Sequence, residues 1–274
     1  MKTLAAALCA ALALPAAAAE VTPDALTHLP PADVVILGEV HDNPTHHANQ
    51  AAAVAALKPR ALVFEMLTPE QAARATAKVR GNEAALAKAL GWAGSGWPDF
   101  KLYYPIFAAA PQAKIYGAAL PVAQVRRAVK EGAAKVFGPG ADRYGLTTPL
   151  PAAQQQTREA NQQRDHCNAL PDSLLGGMVA AQRLRDAAFA RTIVQAMKET
   201  GGPVAMITGS GHARRDWGIP AALALAVPDL TVLSIGQLEA PADAQEPFDL
   251  WLVTPPTPRE DPCKAFRNSQ MPKG

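Results

Sequence analysis

The chain has 274 residues, of which 26 are Lys or Arg and 24 are Asp or Glu, so its formal net charge is only +2. This balance, without a basic stripe, argues against nucleic acid as a partner. The length suits one large domain or two small ones, and no stretch beyond the N-terminal segment is apolar over the length that spans a bilayer.

Residues 1–19 have the pattern of a cleavable export signal. Lys2 precedes an Ala- and Leu-rich stretch, residues 4–14, that is too short to span a bilayer stably. Ala17 and Ala19 provide the small residues of a cleavage site, so that Glu20 becomes the first mature residue. The sequence therefore predicts a periplasmic protein.

A lipoprotein anchor at Cys9 is the alternative. The residue before a lipidated cysteine is normally small, whereas Leu8 stands there, and Cys9 leaves only a short apolar region before it. Cleavage after Ala19 would also remove Cys9. We therefore expect no lipid anchor.

The mature chain alternates apolar runs with helical patterns. The first run is bounded by Asn43-Pro44, which is typical of a helix N-terminus, and a second run follows that helix, so a parallel strand–helix–strand unit is expected. Thr68 is the expected N-cap of the next helix. Strands are predicted at 33–38, 61–65, 114–118, 203–208, 230–235 and 248–253, and helices at 44–57, from 68 to about 90, at 152–168 and at 172–200.

These elements predict an α/β fold. A central, mostly parallel sheet would be flanked by helices, with residues 20–274 forming one domain. The last strand, 248–253, is expected at the edge of the sheet. A helical and aromatic cap is expected over approximately residues 70–200.

Ionisable residues follow three of the predicted strands. Glu39 and His41 follow the first strand, Glu65 ends the second, and His212 follows the fourth after two glycines. Ligands bind beyond the carboxyl ends of strands in open parallel sheets, so these residues are expected to form one site. Two Glu and two His could bind zinc or manganese, or perform acid–base chemistry.

Other interpretations of the polar residues remain open. The strand-end residues could instead form a buried hydrogen-bond cluster, and no HExxH motif is present. His46 and His47 lie in a first helical turn, where neutral imidazole is expected; one of them could face the site, but for each the solvated surface is predicted. Arg214 could hold carboxylates or phosphates, although a surface helix start explains it equally well.

Aromatic residues are concentrated in one short window interrupted by Gly and Pro. A flat apolar ligand or a protein partner suits such a group, and a Tyr could ligate haem iron through its phenolate. The alternative is a small satellite core under a loop. The window contains Trp92, Trp97, Phe100, Tyr103, Tyr104 and Phe107.

Two cysteines remain in the mature chain, Cys167 and Cys263. In an oxidising compartment such a pair most simply forms a disulfide, which would tie the C-terminal tail to the middle of the chain. Thiolate ligation of a metal is less expected because the CxxC spacing is absent.

Several sequence blocks occur in order and extend over nearly all of the mature chain. They are GEVHDNPTHH at 38–47, FEML at 64–67, Trp92 and Trp97 with YPI at 104–106, HC at 166–167 with AQRLRDA at 181–187, GSGHAR at 209–214 and DPC at 261–263. Together these blocks resemble the ChaN-type haem-binding uptake proteins.

The resemblance implies a non-enzymatic, periplasm-facing protein of iron or haem acquisition. Haem would lie between two protomers, with Tyr104 as the iron ligand and the adjacent Tyr103 as the alternative. Trp92, Trp97 and Tyr103 would pack on the porphyrin, Arg214 would assist, and a partner histidine would support the site. A homodimer and an outer-membrane haem receptor system are the expected partners.

The same resemblance extends to the Tiki-type metalloproteases, the TraB-like proteins and the erythromycin esterase-like enzymes. It implies a second hypothesis, a metal-dependent hydrolase in which the strand-end cluster binds metal or activates water. A third hypothesis is that this cluster only stabilises the fold. The cluster in both cases is Glu39, His41, Glu65 and His212.

Overall fold

The computed structural model describes residues 18–240, 245–261 and 263–264, so residues 1–17 of the predicted signal lie outside it. Seven strands form one sheet in which every pair of neighbours is parallel, and the predicted α/β fold is confirmed. Their spatial order is β1-β7-β6-β2-β5-β3-β4. The strands are β1 (Ala19–Glu20), β2 (Val34–Glu39), β3 (Ala61–Phe64), β4 (Lys114–Gly117), β5 (Val204–Gly209), β6 (Val232–Leu238) and β7 (Leu250–Val253).

The centre of the sheet is assembled from distant parts of the chain. β2 and β3 run parallel as expected, but β5 lies between them and pairs with both, with Val204 opposite Val34 on one side and Ala61 on the other. The prediction that residues 248–253 form the edge strand is wrong. The two-residue strand β1 lies outside β7 because the backbone N–H of Ala19 and of Val21 donate to β7 and the residue before it.

Helices occupy all four predicted helical stretches, and the described residues also contain helices at 100–109, 122–131, 133–137, 210–213 and 219–226 that were not predicted. The stretch predicted as helical from Thr68 to about 90 is broken, because Gly81 ends one segment and the Asn82 side chain caps the next. No described helix has the length and apolarity to cross a bilayer. The helices are α1 (Pro44–Leu57), α2 (Pro69–Ala72), α3 (Ala77–Arg80), α4 (Glu83–Leu90), α5 (Phe100–Ala109), α6 (Val122–Glu131), α7 (Ala133–Phe137), α8 (Ala152–Asp165), α9 (Asp172–Thr200), α10 (Ser210–Ala213) and α11 (Ile219–Ala226), after a 3-10 helix (Pro23–Thr27).

Apolar residues cover both faces of the sheet. Successive strand side chains point to opposite faces, so Val34 and Ile36 contact the cluster beneath α6, α7, α9 and α11. Val35 and Leu37 contact the cluster beneath α1 and α5. Burial on both faces explains why β2 is a continuous apolar run rather than an alternating one.

The region predicted as a cap does not lie on one side of the sheet. It includes β4, which is part of the sheet, while α5 packs against α1 on one face and α9 covers the other. The predicted disulfide between Cys167 and Cys263 is present and joins the end of α8 to the C-terminal tail.

Candidate functional site

The adjacent ends of β2, β5 and β3 bring together the polar residues that the sequence singled out. Glu39 ends β2, Glu65 follows β3, and His212 lies in α10 directly after β5. Gly209 at the end of β5 allows the close approach, since a Cβ there would lie 3.0 Å from Nε2 of His41. We call Glu39, His41, Glu65 and His212 the strand-end cluster.

The carboxylate of Glu39 is buried, and hydrogen bonds reach its Oε1 but not its Oε2. Its Oε1 accepts a hydrogen bond from the Tyr103 hydroxyl at 3.0 Å and lies 2.8 Å from Nδ1 of His41. Its Oε2 lies 3.4 Å from Nδ1 of His47. Burial alone would lower the pKa of His41, but the hydrogen bond to Glu39 and the charge of Glu65 raise it. These contacts fix the position of the Glu39 carboxylate between His41 and Tyr103.

Glu65 is the most strongly held carboxylate of the cluster. Its Oε2 accepts hydrogen bonds from the Thr208 hydroxyl at 2.6 Å and from the Gly209 backbone at 2.8 Å. Its Oε1 accepts from Arg185 at 2.5 Å. Burial opposes ionisation, but the positive charges of His212 and Arg185 outweigh it and lower the pKa of Glu65 to about 2.

His212 joins two buried carboxylates. Its Nδ1 lies 2.6 Å from Oδ1 of Asp186, and its Nε2 lies 3.5 Å from Oε1 of Glu65. Burial raises the pKa of Asp186 although the His212 contact opposes that shift. The individual roles of Arg185 and Asp186 were missed by the sequence reasoning, although both belong to the AQRLRDA block. Arg185 and Asp186 could have been identified from the sequence, because they are charged residues among the apolar positions of a predicted helix.

The structure does not support the predicted zinc or manganese site. Within residues 18–240, 245–261 and 263–264, no group of three or more His, Cys, Asp or Glu is arranged to hold a metal. The two glutamates instead accept hydrogen bonds from Tyr103, Thr208 and Arg185. The cluster is a network of mutual contacts.

The prediction that His46 and His47 lie on the solvated surface is wrong. Both are buried because α1 packs its first turn against the strand ends. Nδ1 of His46 accepts from the Val40 backbone at 2.8 Å, and its Nε2 lies 2.7 Å from the Thr254 hydroxyl. Burial lowers the pKa of His46 to about 4, so the expected neutral imidazole is confirmed at this position.

His46 should make the protein less stable as the pH falls from 6.5 to 4. The folded His46 stays neutral while the unfolded one takes up a proton, so stability present above pH 6.5 is lost at about 1.4 kcal/mol per pH unit, up to about 3 kcal/mol. His41 has a raised pKa and acts in the opposite sense, since its contribution is lost as the pH rises through its folded value.

Urea unfolding of wild type and His46→Asn across this pH range measures the effect. The Asn oxygen can accept the Val40 hydrogen bond but does not titrate, so we expect a flatter dependence on pH. His28→Asn, at an exposed position, should retain the wild-type slope. An unchanged slope in His46→Asn would contradict the assignment.

Most of the aromatic window is part of the main core on the α1 and α5 face of the sheet, so the alternative of a small satellite core is wrong. Tyr103 is fully buried and packs against Trp92 and His47. Trp92 is 5% exposed, and its indole N–H donates to the Pro98 carbonyl. Tyr103 and Trp92 therefore have no face open for packing on a porphyrin.

Trp97 and Tyr104 are the two members of the window that combine partial burial with some exposure. The Trp97 ring contacts the edge of His41, with 4.8 Å between ring centres. The Tyr104 hydroxyl makes a long hydrogen bond of 3.4 Å to the Arg80 carbonyl. Both residues thus offer surface to a ligand.

A cavity of about 570 Å³ opens beside the cluster, with Glu65, Arg185 and Trp97 in its wall and Val122 at its surface. Arg214 lies elsewhere. Its guanidinium pairs with Asp216 and stacks on Trp217 at 3.8 Å from the ring centre. The predicted role of Arg214 in holding a cofactor is therefore not evident from its contacts.

Comparison with known proteins agrees with this architecture. Residues 25–223 match the family model described as "Haem-binding uptake, Tiki superfamily, ChaN". The chain belongs to this family. A solved structure that shows cofacial haem binding to ChaN of Campylobacter jejuni is similar at a TM-score of 0.63 and 20% identity, over 82% of this chain and 89% of that one.

A second solved structure, the type III effector HopBA1, gives a TM-score of 0.45 at 12% identity, covering 85% of this chain and 92% of the effector. No curated protein sequence matches the chain. The conclusions from these comparisons therefore rest on the family match and on the similar fold of the Campylobacter protein.

Proposed function

We propose that this ChaN-family protein takes part in haem acquisition in the periplasm, binding haem through the Tyr104 phenolate at an interface between two protomers. Family membership supports haem as the ligand. The observation that carries the site is the contrast between two adjacent tyrosines on α5, one enclosed in the core and one reaching the surface.

Tyrosine ligates haem iron as the phenolate, so the hydroxyl must lose its proton and reach the ligand. Tyr103 is fully buried, and its pKa is raised by burial and by the negative charge of Glu39. Both effects oppose phenolate formation at Tyr103. Tyr104 is partly exposed, and its hydroxyl would give up only a long hydrogen bond to Arg80.

The surroundings of the proposed ligand also suit haem. Trp97 offers a partly exposed aromatic surface to the apolar macrocycle, while Trp92 packs against Phe100 at the start of α5 and so supports that helix. Arg214 is left out of the proposed site because Asp216 and Trp217 already hold its guanidinium.

A haemin titration followed by absorbance tests the ligand. Wild type should give a saturable spectrum of five-coordinate tyrosinate haem, and Tyr104→Phe should lose that spectrum, because the phenyl ring retains packing but cannot ligate iron. Tyr103→Phe is the matched control and should keep it. An unchanged spectrum in Tyr104→Phe would refute the assignment, and loss in Tyr103→Phe alone would make Tyr103 the ligand.

The proposed interface and location have separate tests. The Campylobacter protein binds haem cofacially, and by analogy we propose that two protomers of this chain each cover one side of the site. Sedimentation velocity should show a monomer that dimerises upon addition of haemin. Release of a chain beginning at Glu20 by osmotic shock would support export, and recovery of the uncleaved chain in the cytoplasm would refute it.

The metal-dependent hydrolase has less support. A catalytic cluster needs a free position for metal or water, whereas Glu65 is engaged by Arg185 and the β5 end, and Oε1 of Glu39 is engaged by Tyr103. The contacts favour a cluster that stabilises the meeting point of three strands.

A further inference from the structure

A second pocket, of about 360 Å³, lies among α8, α9, α11 and the loop of residues 142–151. Its volume is within the usual range for small-molecule sites. The floor includes Arg158 from α8, and the wall includes Arg183 and Asp186 from α9. None of the residues proposed to bind haem lines this pocket.

Arg158 is buried and forms no ion pair among the described residues, although the carboxylates of Asp186 and Asp216 act on its charge from beyond ion-pair distance. Arg158 is only 8% exposed, and its Nε and Nη1 atoms have no hydrogen-bond partner. Its Nη2 makes only two contacts, each of 3.5 Å, to Gln154 and to the Trp217 carbonyl. Among the described residues no carboxylate forms an ion pair with it.

A bound anion would compensate for the buried charge of Arg158. Burial lowers the pKa of Arg158 to about 10, so the guanidinium still carries its charge at neutral pH. A buried charge without a partner is costly, and a bound anion would offset the cost. The guanidinium also packs over the Trp217 ring, which fixes its plane beside the pocket.

A second guanidinium organises the pocket. Arg183 donates from Nη2 to the carbonyls of Gly145 at 2.6 Å and Thr148 at 2.9 Å, which holds the 142–151 loop over the pocket. Burial lowers the pKa of Arg183 as well. Two desolvated cations therefore line one small volume.

Asp186 favours a singly charged anion over a doubly charged one. Its Oδ1 contacts His212, but its Oδ2 is buried, has no hydrogen-bond partner and belongs to a residue that lines the pocket. A neighbouring carboxylate repels a doubly charged ligand more than a singly charged one. The remaining wall is mixed: it includes Asp142 and Asp216, the latter paired with Arg214, and an apolar part formed by Tyr144, Leu146 and Leu225, which is 63% exposed.

We infer that this pocket binds a small monocarboxylate with an apolar body, the carboxylate contacting Arg158 and the apolar group lying against Tyr144, Leu146 and Leu225. The ligand would be distinct from haem, because the pocket shares no residue with the proposed haem site.

Equilibrium dialysis of the protein with radiolabelled benzoate tests the inference. We expect saturable binding at one site, weakened about tenfold or more in Arg158→Gln, because a charged hydrogen-bond donor is lost. Arg127→Gln, at an exposed α6 position, should bind as wild type. Unlabelled benzyl alcohol should fail to compete. No saturable binding would overturn the inference, and tighter binding of phenyl phosphate would overturn the monocarboxylate class.

A second variant avoids dependence on the folding of Arg158→Gln. Leu225→Glu places a negative charge at the exposed mouth and should weaken benzoate about tenfold by repulsion. Leu174→Glu introduces the same charge at an exposed position in the first turn of α9, outside the pocket, and should leave binding unchanged. Equal binding by both variants and wild type would place benzoate elsewhere and refute the site.

Discussion

Replacement of both Cys167 and Cys263 by Ser is expected to lower the free energy of unfolding by about 4–5 kcal/mol. The disulfide joins residues separated by 96 positions, so its loss greatly enlarges the conformational freedom of the unfolded chain. The enclosed segment includes α9, β5, β6 and β7. Since domains are stable by only about 5–15 kcal/mol, this loss should be prominent in urea unfolding.

Reduction provides the control for this experiment. Wild type unfolded in the presence of a thiol reductant should approach the stability of the double Ser variant, and the variant itself should not respond to the reductant. A double variant within about 1 kcal/mol of wild type would show that the loop-entropy argument does not apply to this disulfide.

Glu65→Gln is expected to lower the free energy of unfolding by about 3–5 kcal/mol, because it removes one partner from a buried charge network. Arg185 and His212 would lose the anion they share. The amide would also direct an N–H group towards a neighbouring donor, since Thr208 and Gly209 both donate to Oε2. Chemical denaturation at pH 7 measures the change.

Glu199→Gln is the matched control for the Glu65 variant. The pKa of Glu199 is also lowered to about 2, first by its hydrogen bond to Lys114, yet this pair lies at the surface. Solvent screens such pairs, so the control should be hard to distinguish from wild type. Similar effects of the two substitutions would contradict the proposed role of burial.

The pH dependence of the Glu65 variant follows from the same pKa. In wild type the contribution of Glu65 is present above pH 4.5 and is lost as the pH falls towards 2. The difference in stability between wild type and Glu65→Gln should therefore narrow in acid. A constant difference would assign the effect to packing.

Much of the fold could be predicted because local sequence determines it. Asn43-Pro44 sets the start of α1, and the apolar run of β2 identifies a strand covered on both faces. The order of strands could not be predicted, because nothing local indicates that β5 lies between β2 and β3. The two-residue β1 is too short to leave a pattern.

The candidate site was predictable only in part. Glu39, Glu65 and His212 follow strands, so their meeting could be expected at one edge of the sheet. The burial of Tyr103 beside a partly exposed Tyr104 depends on how α5 packs against α1, and adjacent identical residues give no such information. Whether Arg158 has an ion-pair partner depends on which side chains pack around it in the folded protein, and this cannot be read from the sequence.

The position of β5 in the sheet has a consequence for the order of folding. A nascent chain emerging from the ribosome contains β2, β3 and β4 long before residue 204 is made, yet the strand that joins β2 to β3 is still missing. Both strands therefore keep open edges during most of synthesis, and such edges attract chaperones and other chains. We therefore expect the centre of the sheet to form only after β5 has been synthesised.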